Sequence, residues 1–276
     1  MRAAAVRFDD GPRFAHLLGT GPEPAEAHLL DGAPWLGGRR TGEVRKVSRG
    51  DLLCPCAPSK IVCVGRNYAL HAKELGQAVP SEPLLFLKPP SALLGPRGTV
   101  TLPPESARVE HEAELAVVIG ARAKNVARED ALRHVAGYTA GCDVTARDLQ
   151  RKDVQFTRSK SFDTFCPLGP WIETDLDPRD VLVGCRVNGV VRQQASTKDM
   201  IFDVATVVAY VSRMMTLEPG DVILTGTPEG VGPLEPGDGL EVEVGGIGVL
   251  ELRVSAARQE EQEEQGNQGD RPLKEK

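Results

Sequence analysis

In the stretch His111-Glu-Ala-Glu-Leu-Ala-Val-Val-Ile119, two glutamates stand two residues apart at the head of an apolar run. If the run is a β-strand, its alternation turns Glu112 and Glu114 to one face. Two like charges on one face repel, so the pair needs a hard dication, an arginine or lysine, or water. A third acid, Asp143, follows a second strand-like run over 135–142, a layout that brings two strand ends side by side. Three carboxylates without a convincing His or Cys partner suit magnesium, manganese or calcium better than zinc or copper. On spacing alone, solvated acids at a strand end are the alternative.

Further chemistry-bearing types lie on either side. His71 and Glu74 stand at i, i+3, side by side if the segment is helical, and a carboxylate beside an imidazole fixes its tautomer and raises its basicity. Arg147 and Gln150 follow Asp143 at i+4 and i+7, one face of a helical turn, from which both could reach the same ligand. An exposed helix carries such pairs without any function. The turn Leu224-Thr-Gly-Thr-Pro-Glu-Gly230 offers amides and the Thr227 hydroxyl to a carboxylate, or is a plain turn. Cys54-Pro-Cys56 with Cys63 and His71 is a weak zinc pattern, since no second closely spaced pair exists. Trp171, Cys142 and Cys166 read as packing.

These residues need a scaffold. The 276 residues, 41% hydrophobic, provide for one large core. Runs over 61–64, 84–87, 114–119, 221–225, 240–244 and 248–254 alternate with prolines and glycines, so the expected fold is mainly β with a few helices. Helical spacing predicts a helix over 127–135, capped by Asn125, and another over 201–215. Residues 1–58 read as a small β-rich N-terminal domain, closed by the prolines of Cys54-Pro-Cys-Ala-Pro58. Residues 59–254 are expected to form the main, catalytic domain, which carries the candidate metal ligands. Residues 255–276 hold one leucine and no aromatic side chain, and are expected to be a disordered tail.

Lys+Arg total 33 against Asp+Glu 39, a formal charge of -6 that argues against nucleic acid. The opening MRAAAVRFDD is too short in apolar residues for a signal peptide, and no stretch approaches a membrane span. Six scattered cysteines fit a reducing cytosol, so a cytoplasmic protein with no membrane partner is expected.

Six ordered segments resemble the fumarylacetoacetate hydrolase family. They are Lys60-Ile-Val-Cys-Val-Gly-Arg-Asn-Tyr-Ala-Leu-His71, Pro83-Leu-Leu-Phe-Leu-Lys-Pro89, His111-Glu-Ala-Glu-Leu115, Asp143-Val-Thr-Ala-Arg-Asp-Leu-Gln150, Lys160-Ser-Phe-Asp163 and Leu224-Thr-Gly-Thr-Pro-Glu-Gly-Val-Gly232. They are similar in particular to its acylpyruvate hydrolases, oxaloacetate decarboxylases and 2-hydroxyhepta-2,4-diene-1,7-dioate isomerases. The resemblance implies a mixed β-roll and a homodimer. It implies metal ligation by Glu112, Glu114 and Asp143, with Mg2+ or Mn2+ as cofactor and Ca2+ as a further candidate. Some hydrolases of the family carry a fourth carboxylate seven residues before the histidine, where this chain has Val64. By the same resemblance, His71, Glu74 and Lys160 are catalytic, with His71 and Glu74 on a mobile lid, and Arg147, Gln150 and Thr227 bind substrate.

The implied activity is C–C bond hydrolysis of a 2,4-dioxo acid, acylpyruvate or fumarylacetoacetate-like, through an enolate stabilised by the dication. The alternatives are isomerisation or decarboxylation of a 2-hydroxydienedioate in aromatic catabolism, and oxaloacetate decarboxylation, all of which use the same charge arrangement. A third alternative of another class is a non-enzymatic metal-binding β protein. Such a site would close its coordination shell with protein atoms, and only three carboxylates are evident.

Overall fold

The computed structural model describes residues 1–19, 21 and 23–257. Strands dominate. The α-helices among the described residues are short: α1 (Ala69–Glu74), α2 (Arg147–Lys152), α3 (Thr157–Lys160) and α4 (Val204–Met214).

A 12-stranded sheet is the spine. Its path runs Arg40–Lys46, Glu26–Leu30, Gly11–Leu17, Arg2–Phe8, Cys166–Glu173, Val135–Cys142, Ala113–Ile119, Val222–Leu224, Ile61–Gly65 and Leu84–Lys88. Every pair along this path is antiparallel except Val222–Leu224 beside Ile61–Gly65. The strands of the first 46 residues thus continue the main sheet, through Arg2–Phe8 on Cys166–Glu173. A five-stranded sheet, Val190–Ser196, Leu182–Val187, Gly239–Val244, Gly248–Ala256 and Thr99–Leu102, packs over its middle. A three-stranded sheet joins Thr145–Ala146, Val109–His111 and Gly232–Pro233.

The strand Ala113–Ile119 is buried at every position, which is why, past Glu114, Leu115–Ile119 is a continuous apolar run and not an alternation. Leu115, Val117 and Ile119 pack in the core shared with Val183, Val242 and Leu250 of the five-stranded sheet. Ala116 and Val118 pack on the opposite side with Cys63, Leu168 and Val222. A strand held on both faces cannot slip register, so a side chain at its head is placed rigidly.

Three expectations are corrected. The segment expected as a helix over 127–135 is a 3-10 helix, Arg128–His134, without a side-chain cap. Asn125 has φ +53° and turns the chain, a role that its short polar side chain tolerates. The helix expected over 201–215 spans Val204–Met214, because Asp203 accepts the Thr206 amide at 2.8 Å and starts it there. The Ile201 amide instead bonds to the Asn67 carbonyl. Ser255 and Ala256, placed in the tail, continue the strand Gly248–Ala256 opposite Thr101 and Leu102; the tail from 258 onward lies outside the described residues. Among the described residues, no helix is long and apolar enough to cross a membrane.

At the 58/59 junction the chain is fastened by one carboxylate. Asp221 Oδ1 accepts the Ser59 amide (3.1 Å), the Ser59 hydroxyl (2.7 Å) and the Lys60 amide (3.1 Å). Oδ2 accepts the Glu218 amide (2.8 Å) and pairs with the Lys60 ammonium. Burial opposes ionisation of Asp221, but Lys60, the Glu218 amide and Ser59 outweigh it and hold the carboxyl below its usual range. The stabilisation is therefore complete above the ordinary carboxylate pKa of about 3.9 and lost as pH falls through the lower folded value. Asp221→Ala should cost about 3 kcal/mol, since it strands buried donors. Denaturant melts should show this loss at pH 7 and a smaller gap between variant and parent near pH 3. A gap independent of pH would show that packing, not the charge, fastens the junction.

Candidate metal and acid–base site

The antiparallel register that sets Ala113 opposite Cys142 brings the heads of the two strands together, and the Asp143 amide donates to the Glu112 carbonyl at 2.9 Å. Glu112 stands at the break just before Ala113–Ile119, Glu114 within that strand, and Asp143 just past Val135–Cys142. One oxygen from each carboxylate lies within 4.8 Å of the others. All three are buried, at 5%, 2% and 1% exposure, so they are not solvated surface acids.

Cations compensate two of them. Lys160, at the end of α3, donates to Glu112 Oε2 (2.9 Å), Asp143 Oδ2 (2.6 Å) and Thr145 Oγ1 (2.7 Å), which uses all three ammonium hydrogens. Arg147 pairs with Glu112 Oε1 through Nη2 and with Glu110 Oε2 through Nε at 2.6 Å. Lys88 Nζ lies 2.6 Å from Asp143 Oδ1, close enough for ion pairing, while the atoms it aligns with are the carbonyls of Val144 and Lys160. Asp143 Oδ1 thus has a charge partner in Lys88 but no aligned hydrogen bond among the described residues.

The three acids divide electrostatically. Burial opposes ionisation of Glu112, but Lys160 and Arg147 prevail and hold it well below the carboxylate range. Burial, Asp143 and Glu112 push Glu114 far up, against a single donor, the Gly226 amide at 2.6 Å. A buried carboxyl in that position is either protonated or neutralised by a dication. An all-oxygen donor set that includes an electrostatically uncompensated Glu114 fits a hard divalent ion.

The remaining expected residues sit around the same cavity of about 310 Å³, lined by His71, Arg147, Gln150 and Thr227 together with the triad and Lys160. His71 and Glu74 lie on α1, with His71 Nδ1 3.2 Å from Glu74 Oε2. Glu74 Oε1 accepts the Gly230 amide at 3.0 Å, and His71 Nε2 has no partner among the described residues. Arg147 and Gln150 share a face as i, i+3 on α2 and are bonded to each other. Asp143 is not on that helix, because Thr145–Ala146 intervenes as a strand, so the i+4 and i+7 spacing from Asp143 is corrected. The Thr227 hydroxyl donates to the Ala113 carbonyl (2.9 Å) and accepts from Gln193 Nε2 (2.7 Å). Among the described residues, Cys54, Cys56 and Cys63 join no cluster of metal-ligand spacing; Cys54 Sγ instead donates to the Cys56 carbonyl.

Residues 60–255 match the family model described as fumarylacetoacetate (FAA) hydrolase C-terminal. The chain belongs to this family. Oxaloacetate tautomerase FAHD2A of Bos taurus is 47% identical over 209 residues, covering 71% of this chain and 67% of that protein. The structure of 5-carboxymethyl-2-hydroxymuconate delta-isomerase from Mycobacterium smegmatis is 45% identical with a TM-score of 0.87, covering 93% of this chain and all of the other. That of 2-hydroxyhepta-2,4-diene-1,7-dioate isomerase from Mycobacterium marinum is 43% identical with a TM-score of 0.85, covering 93% of this chain and 98% of the other. The fumarylacetoacetate hydrolase family is thus an enzyme family whose β-rich fold this chain shares.

Sequence reasoning missed Glu110, Lys88, Thr145 and Gln193. Lys88 carried a signal, a single charge closing the apolar strand Leu84–Lys88. Glu110 carried a weaker one, two residues before Glu112. Gln193 carried none, because nothing local distinguishes it from Gln194 in the mostly exposed strand Val190–Ser196. It nonetheless ties Ala113 to Thr227 and Pro228 through one amide.

Gly226, which supplies the Glu114 donor, has φ +102°, and a Cβ there would lie 2.6 Å from Asn67 Cβ. Both features strain any larger residue. Gly226→Ala should destabilise the protein by about 1–3 kcal/mol and weaken Mn2+ binding by moving the amide off Glu114. Melting curves and calorimetric titration check this, and unchanged metal affinity would separate the turn from the acid cluster.

Proposed function

We propose that the protein is a divalent-metal-dependent enzyme that moves a proton at the carbon beside the carbonyl of a small 2-oxo acid, an isomerase or tautomerase. The observation that carries this reading is the convergence of Glu112, Glu114 and Asp143 on a cavity whose wall holds the His71–Glu74 pair. Those three acids would hold Mg2+ or Mn2+. A bound dication would polarise the 2-oxo carbonyl and stabilise the negative charge that grows on its oxygen as the adjacent carbon loses a proton.

The chain's own residues do the rest. His71 Nε2 takes and returns the proton, while Glu74 at Nδ1 orients the ring and fixes its tautomer. The Gly230 amide holds Glu74 in turn. Lys160 and Arg147 keep Glu112 ionised, and the Gln150 amide nitrogen is available to a substrate oxygen on the cavity side. The similarity to an oxaloacetate tautomerase and to two isomerases supports isomerisation.

The second reading is C–C hydrolysis of a 2,4-dioxo acid, with the same pair activating water. The free Nε2 beside a charged partner favours it, and the buried Val64 on the cavity wall, where some hydrolases carry a fourth carboxylate, disfavours it. Decarboxylation of oxaloacetate would use the same charge stabilisation.

Activity on oxaloacetate and acylpyruvates should vanish on chelation and return with Mg2+ or Mn2+. The product separates the readings: an absorbance change alone for isomerisation, pyruvate plus a second acid for hydrolysis, CO2 for decarboxylation. Full turnover after exhaustive chelation would end the metal assignment. Glu114→Gln should weaken Mn2+ binding at least tenfold by calorimetry, about 1.4 kcal/mol or more, because the amide lacks the charge that attracts a hard ion.

His71→Ala should lower kcat about 10²–10⁴-fold, the usual worth of a general base. Calorimetric Mn2+ affinity should hardly change, since it depends on the carboxylates. A fall in metal affinity as large as that in kcat would make His71 a structural residue.

A further inference from the structure

The cavity above the acids carries more positive charge than the acids use. Its lining cations are Arg66, Arg147, Arg151 and Lys160. Arg147 and Lys160 are spoken for by Glu110, Glu112 and Asp143. Among the described residues, neither Arg66 nor Arg151 has an ion pair or a side-chain hydrogen bond. Arg66 is half-buried and Arg151 exposed, so this surplus is open to solvent.

Arg66 is not there by default of a flexible loop. Its backbone holds φ +57°, a region that a non-glycine residue occupies only when its neighbours impose it. The neighbour is Asn67, fully buried, whose amide donates to the carbonyls of Phe202 (2.9 Å) and Thr225 (2.7 Å) and accepts the Phe202 amide (2.8 Å). Thr225 precedes Gly226, the donor to Glu114, so the segment that presents Arg66 is bolted to the acid site. Arg151 follows Gln150 on α2, one turn beyond Arg147, whose pairs with Glu110 and Glu112 dock that helix on the acid cluster.

We infer that Arg66 and Arg151 form a second anion site at the mouth of the cavity, which receives the distal carboxylate of a 2-oxo dicarboxylic acid. The inference rests on the proposed 2-oxo acid chemistry and narrows its substrate class. One end of the substrate meets the acids and their ion, and the other meets two guanidinium groups that have no protein carboxylate to satisfy them. A cavity of about 310 Å³ suits a small diacid of this kind. A monocarboxylate acylpyruvate would leave both arginines to water.

The test compares acids of equal length that differ at the distal end. Calorimetry with the Mn2+-loaded full chain should show 2-oxoglutarate bound more tightly than 2-oxopentanoate. Arg66→Gln and Arg151→Gln should each weaken 2-oxoglutarate on the order of tenfold, the loss of one charge-assisted hydrogen bond, and leave 2-oxopentanoate within about twofold. Arg151→Lys should retain most of the preference. Added salt should reduce it, since Arg151 is exposed. The KM for oxaloacetate should rise in the same two variants while melting temperatures hold. Equal losses for both acids, no losses, or no binding of either acid by the parent protein would overturn the inference. If the parent prefers the diacid yet turns over no 2-oxo acid, the anion site stands and the catalytic reading fails. Turnover without preference gives the reverse.

Discussion

Four carboxylates, Glu110, Glu112, Glu114 and Asp143, are buried in one neighbourhood, and the neutralisation of their charge governs everything nearby. Isolated buried carboxylates are too costly to ionise, so each must be matched or protonated. Arg147 bridges Glu110 and Glu112, and Lys160 bridges Glu112 and Asp143. Among the described residues Glu114 receives only the Gly226 amide, and of these four acids it is the one left to take a proton or a dication. The cations hold the geometry of the cluster, and the shortfall at Glu114 gives it affinity for a further positive charge.

That balance explains the scaffold. The two strands that present the acids, Ala113–Ile119 and Val135–Cys142, lie in the interior of the main sheet with partners on both sides. A repelling cluster needs such a rigid base, since a loop would relieve the repulsion by moving apart. The groups assigned to handle protons and substrate sit on short helices instead: His71 and Glu74 on the six-residue α1, Arg147 and Gln150 on the six-residue α2. Helices of that length have little stability of their own and depend on what they dock against. Glu74 on the Gly230 amide and Arg147 on Glu110 and Glu112 are those docks.

The sequence made the strands and the acid triad legible because both follow short-range rules: apolar runs of the right length, and two acids at strand spacing. The motif order added His71, Lys160 and Thr227, whose types alone say little. What stayed hidden depends on distant pairings. Lys88 reaches Asp143 across 55 residues and Gln193 reaches Ala113 across 80, and no local pattern encodes either. The 3-10 helix at Arg128–His134 was misread for a related reason, since Asn125 suits a cap and a left-handed turn equally and only the hydrogen bond from its amide to the Ser212 carbonyl selects the turn.

Lys160 shows how far the inner site constrains the chemistry. An ammonium with all three hydrogens on Glu112, Asp143 and Thr145 has none left for a substrate oxygen. For it to touch a developing oxyanion, one of those bonds must open, and the exposed carboxylate oxygen would then need another cation. A cation drawn to Glu112 and Asp143 would supply that charge, which makes direct contact between Lys160 and substrate conditional on occupation of the acid cluster. With the inner groups tied to one another in this way, the core of the site would favour negative charge on a substrate oxygen only once a dication occupies the acid cluster. Selection among substrates then falls to groups that the cluster does not bind, and those lie at the rim.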